Sequence, residues 1–306
     1  MNAPDAVLTL SDLESWSRPG VSLAVLGSPI AHSISPPMHN AAMADLAISN
    51  PRFAEWQYYR FEIPPADLPR ALDLFHAKKF RGLNLTVPHK VLAFDRVVSV
   101  SEIARPVGAV NTLLWDERGW RGHNTDGYGL VSALRQDLAC DLAGTHVLLL
   151  GAGGAARSAG VECLRRRCAS LTVVNRTRAH LDALLSVLAL LAGNIPLRGF
   201  APDTLPADLP AGAVVINATS AGLHAGDTAP IDLPRLPRPA SVFDMIYNPP
   251  QTPLLRVAAT LGVKHANGLS MLVHQGAKAL EIWSGVPAGG TAPTMQAAAR
   301  AALNLT

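Results

Sequence analysis

The run Val147-Leu148-Leu149-Leu150 leads directly into Gly151-Ala152-Gly153-Gly154-Ala155-Ala156 and then into a helical pattern. Strand, glycine-rich turn and helix in that order leave few folds open. An unbroken apolar strand is one buried on both faces of a parallel sheet, and the next parallel strand is reached through a helix. Gly151 permits the tight turn, and Gly153 lets a pyrophosphate approach the backbone. The N–H groups at the helix start and the helix dipole favour that anion. Ala156 stands where the third glycine usually falls and is small enough for close helix–strand packing. The turn is therefore read as a dinucleotide site.

The rest of the chain alternates in the same manner. Strands are expected at 21–26, 57–63, 82–87 and 109–115, with helices at 35–47 and 66–78. Ser35 is read as a helix cap ahead of two prolines. Past a helix at 127–138, a second series has strands at 145–150, 171–175, 213–217, 241–245 and 263–266, and helices at 155–167, 177–191 and 252–261. Two helices, 270–283 and 291–303, end the chain. Residues 1–20 read as a ragged leader with a short helix near Ser11. The expected fold is α/β with two domains: residues 1–125, joined by 269–306, and a doubly wound dinucleotide-binding domain at 126–268. At 306 residues the chain is long enough for both.

Composition narrows the function classes. The chain is 49% apolar and 16% charged, with a net charge of +3. Its one basic block, Arg165-Arg166-Arg167, falls at a helix end, where cations meet exposed carbonyls. Nucleic-acid binding has little electrostatic support. Cys140, Cys163 and Cys168 form no C-x-x-C pair, which suits a reducing cytoplasm. The histidines show no metal-ligand spacing, and no apolar stretch is long enough to span a bilayer. No metal, membrane or nucleic-acid partner is expected.

The end of the second strand selects the cofactor. An NAD site places an acidic residue there for the ribose hydroxyls. Here Val173-Val174-Asn175-Arg176-Thr177-Arg178 contains none. Arg176 and Arg178 at a helix start oppose its dipole unless an anion is bound, and a 2′-phosphate matches the guanidinium geometry. NADP is expected.

The first half carries polar residues at positions where apolar ones would build a core. Asn84 and Thr86 share a strand face, and Lys90 follows at its carboxyl end, where α/β sheets place ligands. Ser33 and Ser35 are two apart in an extended segment, Asn111 lies within an expected strand, and Asn124-Thr125-Asp126-Gly127 marks the hinge. Taken singly, Ser35 could be a cap, Asn84 a satisfied core amide and Lys90 a surface residue. Together they outline a substrate pocket for a small polar molecule.

Gly27-Ser-Pro-Ile-Ala-His-Ser-Ile-Ser-Pro-Pro-Met-His-Asn40, Asn84-Leu-Thr-Val-Pro-His-Lys90, Gly108-Ala-Val-Asn-Thr112 and Asn124-Thr-Asp-Gly127 resemble, in order, the signatures of the shikimate dehydrogenase family. Asn175-Arg-Thr177, Asp244-Met-Ile-Tyr-Asn-Pro249 and Gly268-Leu-Ser-Met-Leu-Val-His-Gln275 extend the resemblance. It implies reversible, NADPH-dependent reduction of 3-dehydroshikimate to shikimate in the pathway to aromatic amino acids. It implies that Ser33 and Ser35 hold the substrate carboxylate, and that Thr86, Asn111, Asp126, Tyr247 and Gln275 complete the substrate site. Lys90 and Asp126 would be the catalytic pair. Cofactor contacts would fall on Gly151, Ala152, Gly153, Gly154, Ala155, Asn175, Arg176, Thr177, Met245 and Gly268, with Glu102 a further candidate. The nearest alternatives are a quinate/shikimate dehydrogenase using NAD or both cofactors, and a non-catalytic dinucleotide-binding relative. A monomer or homodimer is expected.

Overall fold

The computed structural model describes residues 6–305. The chain divides into two compact units, the residues up to Thr125 together with those from Val273, and Asp126–Leu272. In chain order the first stretch comprises β1 (Val7–Leu8), α1 (Leu10–Glu14), β2 (Val21–Gly27), α2 (Ser35–Ser49), β3 (Trp56–Glu62) and α3 (Leu68–Ala77). It continues with β4 (Gly82–Leu85), α4 (His89–Leu92), β5 (Ser99–Val100), α5 (Ala104–Val107), β6 (Thr112–Asp116) and β7 (Gly119–His123). The second unit comprises α6 (Asp126–Leu138), β8 (His146–Leu150), α7 (Gly154–Arg165), β9 (Ser170–Val174), α8 (Arg178–Ala192) and β10 (Leu197–Phe200). After these come β11 (Val214–Asn217), β12 (Ser241–Asp244), α9 (Pro253–Thr260) and β13 (Lys264–Asn267). Helices α10 (Leu269–Ser284) and α11 (Ala288–Ala302) end the chain.

The first unit is built on a seven-stranded sheet in the order β1-β3-β2-β4-β6-β7-β5. β3, β2 and β4 are parallel, whereas β6 runs antiparallel to β4 and to β7. That reversal has a functional consequence. The amino end of β6 and the carboxyl end of β7 lie at the same sheet edge as the carboxyl ends of β2 and β4, with Asn84 opposite Thr112 and Thr112 opposite His123.

The leader is ordered from Ala6 onward, contrary to its expected raggedness; residues 1–5 lie outside those described. β1 pairs with β3, and α1 follows with the Asp12 carboxylate accepting from both the N–H and the hydroxyl of Thr9 at 2.8 Å. The reason is burial that weak periodicity concealed. Leu13 and Trp16 sit in the core, with the Trp16 ring edge-on to Tyr59 at 4.8 Å and against Phe80 at 5.0 Å. The last two helices complete the unit: α11 packs on α2, and Trp283 of α10 donates its indole N–H to the Leu113 carbonyl at 2.9 Å. A Cβ at Gly82 would collide with the Trp283 indole, so the glycine of β4 is what admits this ring.

The second unit is a six-stranded, wholly parallel sheet in the order β10-β9-β8-β11-β12-β13. Numbered within the unit this is 3-2-1-4-5-6, the doubly wound dinucleotide-binding topology. The order reverses between β8 and β11, and the glycine turn leaves β8 there. β10 has no counterpart among the expected strands; it is a half-buried edge strand of four residues, too short to show periodicity. No helix among the described residues is long and apolar enough to cross a membrane.

Candidate active site

Four segments of the first unit converge on one sheet edge. Residues 28–34 follow β2 and carry Ser33; residues 86–88 and α4 follow β4 and carry Thr86 and Lys90. Asn111 precedes β6 and Thr125 follows β7. Gly27 makes room where β2 ends: a Cβ there would come within 2.5 Å of the Thr86 methyl. The Val110 N–H donates to the Lys90 carbonyl at 2.9 Å, which joins α4 to the segment bearing Asn111.

Asn111 is buried and lies one residue ahead of β6, not within it. Its backbone still pairs across the sheet, the N–H donating to the His123 carbonyl at 3.0 Å and the carbonyl accepting from the Leu85 N–H at 2.9 Å. The Oδ1 atom accepts from the Thr125 N–H and the Thr112 hydroxyl, both at 2.9 Å, while Nδ2 donates to Thr125 Oγ1 at 3.0 Å and reaches Gln275 Oε1 at 3.5 Å. Asn111, Thr125 and Gln275 are thus brought together, with Gln275 contributed by α10. Asn84 is the satisfied core amide: Oδ1 accepts from the Tyr58 hydroxyl at 2.8 Å, and Nδ2 donates to the Asn111 carbonyl and to Thr112 Oγ1, each at 3.1 Å.

Ser35 is not a cap. The N-cap is Ile34, Ser35 is the first helical residue, and its N–H reaches Ser33 Oγ at 3.4 Å. Its hydroxyl lies beside Tyr58, whose own hydroxyl donates to Asn84. Burial raises the Tyr58 pKa well above the usual phenol value, the neighbouring Ser35 hydroxyl opposing the rise. Sequence reading missed Tyr58 because it is one aromatic in an ordinary strand. His39 stacks on the Tyr58 ring at 4.2 Å and 1° and is buried with both ring nitrogens unpartnered. Burial lowers its pKa from 6.5 to about 3, so the ring is neutral.

In the second unit every expected cofactor residue sits at the carboxyl end of a parallel strand or on the turn that follows. Gly151 has φ +110°, and a Cβ there would press on the Ala218 carbonyl at 3.0 Å. Gly153 and Gly154 have nothing within 4 Å of a Cβ position; Ala152 lies in the turn and Ala155 in the first turn of α7. Around these two Cβ positions the described residues leave open space, which gives an incoming phosphate room to approach. Asn175 turns back to the Thr177 carbonyl at 2.9 Å, leaving Arg176 exposed; no hydrogen bond or ion pair involves its side chain among the described residues. Arg178 differs from the bare arginine expected: its Nε pairs with Asp182 at 2.8 Å, one turn along α8. Gly268 is required by packing, since a Cβ would strike the backbone of Met245. Asp244 fixes the Met245–Tyr247 segment: its Oδ1 accepts from the Ile246 N–H and Asn217 Nδ2 at 3.0 Å, and its Oδ2 from the Thr252 hydroxyl at 2.6 Å. Burial raises the pKa of Asp244 and, at Tyr247, that of the phenol. Asp126 is the buried first residue of α6, where a carboxylate complements the dipole. Glu102 belongs to the first unit and is exposed in the turn ahead of α5.

Comparison with known proteins agrees with this arrangement. The shikimate dehydrogenase substrate-binding domain matches residues 25–113, and the C-terminal domain of shikimate 5′-dehydrogenase matches residues 268–300. Shikimate dehydrogenase (NADP(+)) of Magnetococcus marinus is 40% identical over 268 residues, 86% of this chain and 90% of that protein. The chain belongs to the shikimate dehydrogenase family. The crystal structure of the Thermus thermophilus shikimate 5-dehydrogenase in complex with NADP(H) and shikimate is similar with a TM-score of 0.79 and 34% identity, over 92% of this chain and 99% of that one. A ligand-free 5-ketofructose reductase from a Gluconobacter strain is similar at 0.77 and 31%, over 92% and 99%. The proteins this chain is similar to thus carry more than one named activity.

Proposed function

We propose that this protein is a cytoplasmic shikimate dehydrogenase, reducing 3-dehydroshikimate to shikimate with NADPH and running in reverse with NADP. The observation that carries the reading is the Asn111–Thr125–Gln275 cluster at the same sheet edge as Ser33, Thr86 and Lys90. It is a polar, hydrogen-bonded lining of the kind a polyhydroxylated acid needs. In this reading Ser33 and Ser35 take the carboxylate, and Thr86, Asn111, Asp126, Tyr247 and Gln275 complete the site. Bound NADPH would supply the hydride. Lys90 as ammonium gives a proton to the ketone oxygen as negative charge develops there, and takes it back in the reverse direction. Asp126 is its companion in the catalytic pair. Gly151 to Ala155 receive the pyrophosphate, Asn175 to Thr177 the adenosine end, and Met245, Gly268 and Glu102 the remainder of the cofactor. Arg176, which has no carboxylate partner among the described residues, favours NADP over NAD. The protein acts as a monomer or homodimer.

The test is a matrix of initial rates for shikimate, quinate and fructose against NADP and NAD, repeated with Arg176→Ala. Shikimate with NADP should exceed every other pair in kcat/KM by about tenfold or more, since buried groups left unpaired by the wrong substrate are costly. Arg176→Ala should raise the KM for NADP and leave NAD nearly unchanged. A preference for quinate with NAD, or turnover of fructose alone, would overturn the reading.

A further inference from the structure

Arg157 is a cation that nothing above explains. It lies on the first turn of α7, its N–H donating to the Gly153 carbonyl at 2.9 Å. The side chain is largely covered, and Nε is buried with no hydrogen-bond partner. No carboxylate pairs with it among the described residues. Its neighbours are treated differently: Arg165 and Arg166 both pair with Glu162, and Arg178 with Asp182. Arg157 thus carries two costs at once. A positive charge opposes the dipole at a helix amino end, and the buried Nε has lost water without gaining an acceptor among the described residues.

Its direction follows from the helix face. Gly160, one turn further on, looks toward α8, where a Cβ would meet Leu188 at 2.9 Å. Residues three apart share a face, so Arg157 also projects on the α8 side. α7 and α8 begin beyond the carboxyl ends of the adjacent parallel strands β8 and β9. Arg157 consequently stands between the open glycine turn at Gly153-Gly154 and the Asn175–Thr177 segment. A dinucleotide lying from the turn to that segment would run past it.

We infer that Arg157 binds a phosphate of the dinucleotide, a second cationic anchor beside Arg176. This rests on the dinucleotide reading above. The phosphate is either the pyrophosphate, common to NADP and NAD, or the 2′-phosphate, present in NADP alone.

Arg157→Met keeps the length and apolar stem of the side chain and removes its charge. Calorimetric titration of the full chain with NADP and with NAD, in the absence of shikimate, reads binding without turnover. Loss of about tenfold or more in affinity for both cofactors assigns Arg157 to the pyrophosphate, and loss for NADP alone to the 2′-phosphate. Arg157→Lys should recover part of the affinity. The melting temperature of the unliganded Arg157→Met variant should equal or exceed that of the unaltered protein, because an uncompensated cation has been removed. Unchanged affinity for both cofactors overturns the inference and leaves the dinucleotide reading intact. A lowered melting temperature with unchanged affinity shows a packing residue and overturns it equally. Failure of the unaltered protein to bind either cofactor would instead overturn the dinucleotide reading, and the inference with it.

Discussion

Lys90 and His39 both lie in motif segments of the first unit, and their surroundings give them opposite tasks. Lys90 stands on a four-residue helix beyond β4, half-exposed, where it can meet a ligand. Lys90→Ala should lower kcat by roughly a hundred- to ten-thousand-fold, the range for a lost general acid, while shikimate affinity by titration changes little. A variant retaining near-normal turnover would remove Lys90 from the reaction. His39 is fully buried against Tyr58 with no acceptor for a second proton. Its pKa is about 3 in the folded protein against an ordinary 6.5. The depressed value means that the unfolded chain takes up the proton first as pH falls. Stability is therefore fully present above pH 6.5 and is lost progressively toward pH 3, by roughly 5 kcal/mol at most. His39→Phe should flatten that limb in urea midpoints measured from pH 7 to 3.5. An unchanged pH slope would show that His39 is not the group responsible. The sequence displayed His39 only as part of a motif. The absence of partners at both ring nitrogens is a property of the packed core.

At the scale of elements, much of the fold was legible. Each expected strand from Val21 onward is present with its ends moved by a few residues, and five strands of the six-stranded sheet were read from the sequence, β10 being the exception. Asn111, just ahead of β6, ties its amide to Thr112 and Thr125, and α2 starts at Ser35 with Ile34 at the N-cap. The docking of α10 on β4 had no local signal. It depends on one glycine, Gly82, facing one indole, Trp283. Gly82 does not have positive φ, so alanine there would be penalised by the collision alone. Gly82→Ala should cost about 1–3 kcal/mol in chemical denaturation, as overpacking does. Adding Trp283→Phe, which shortens the ring system, should recover part of that loss. A double variant less stable than the sum of the two single changes would refute the collision.

For the molecule as a whole, each unit has its own sheet and its own core, and the first is assembled from sequence-distant pieces. Trp16 from the leader and Trp283 from the last quarter of the chain are both buried in it. Trp16→Ala should therefore destabilise the protein by about 3–5 kcal/mol, as for a buried aromatic, although it lies in the segment that the sequence pattern marked as a ragged leader. A loss below 1 kcal/mol would show that segment to be peripheral. The sequence by itself determined the glycine turn, the alternation of strand and helix, and the chemical type of the polar residues. Those follow from local demands: φ at Gly151, apolar periodicity, and side-chain identity in an ordered motif. Only the tertiary structure decided that Tyr58 joins Asn84, that Trp283 seats on β4, and that among the described residues Arg157 has no carboxylate partner while Arg178 has one. The bond from Tyr58 spans 26 residues and that from Trp283 spans 170. Such partners are set by strand register and helix face, and become definite only when the entropy of closing long loops has been overcome.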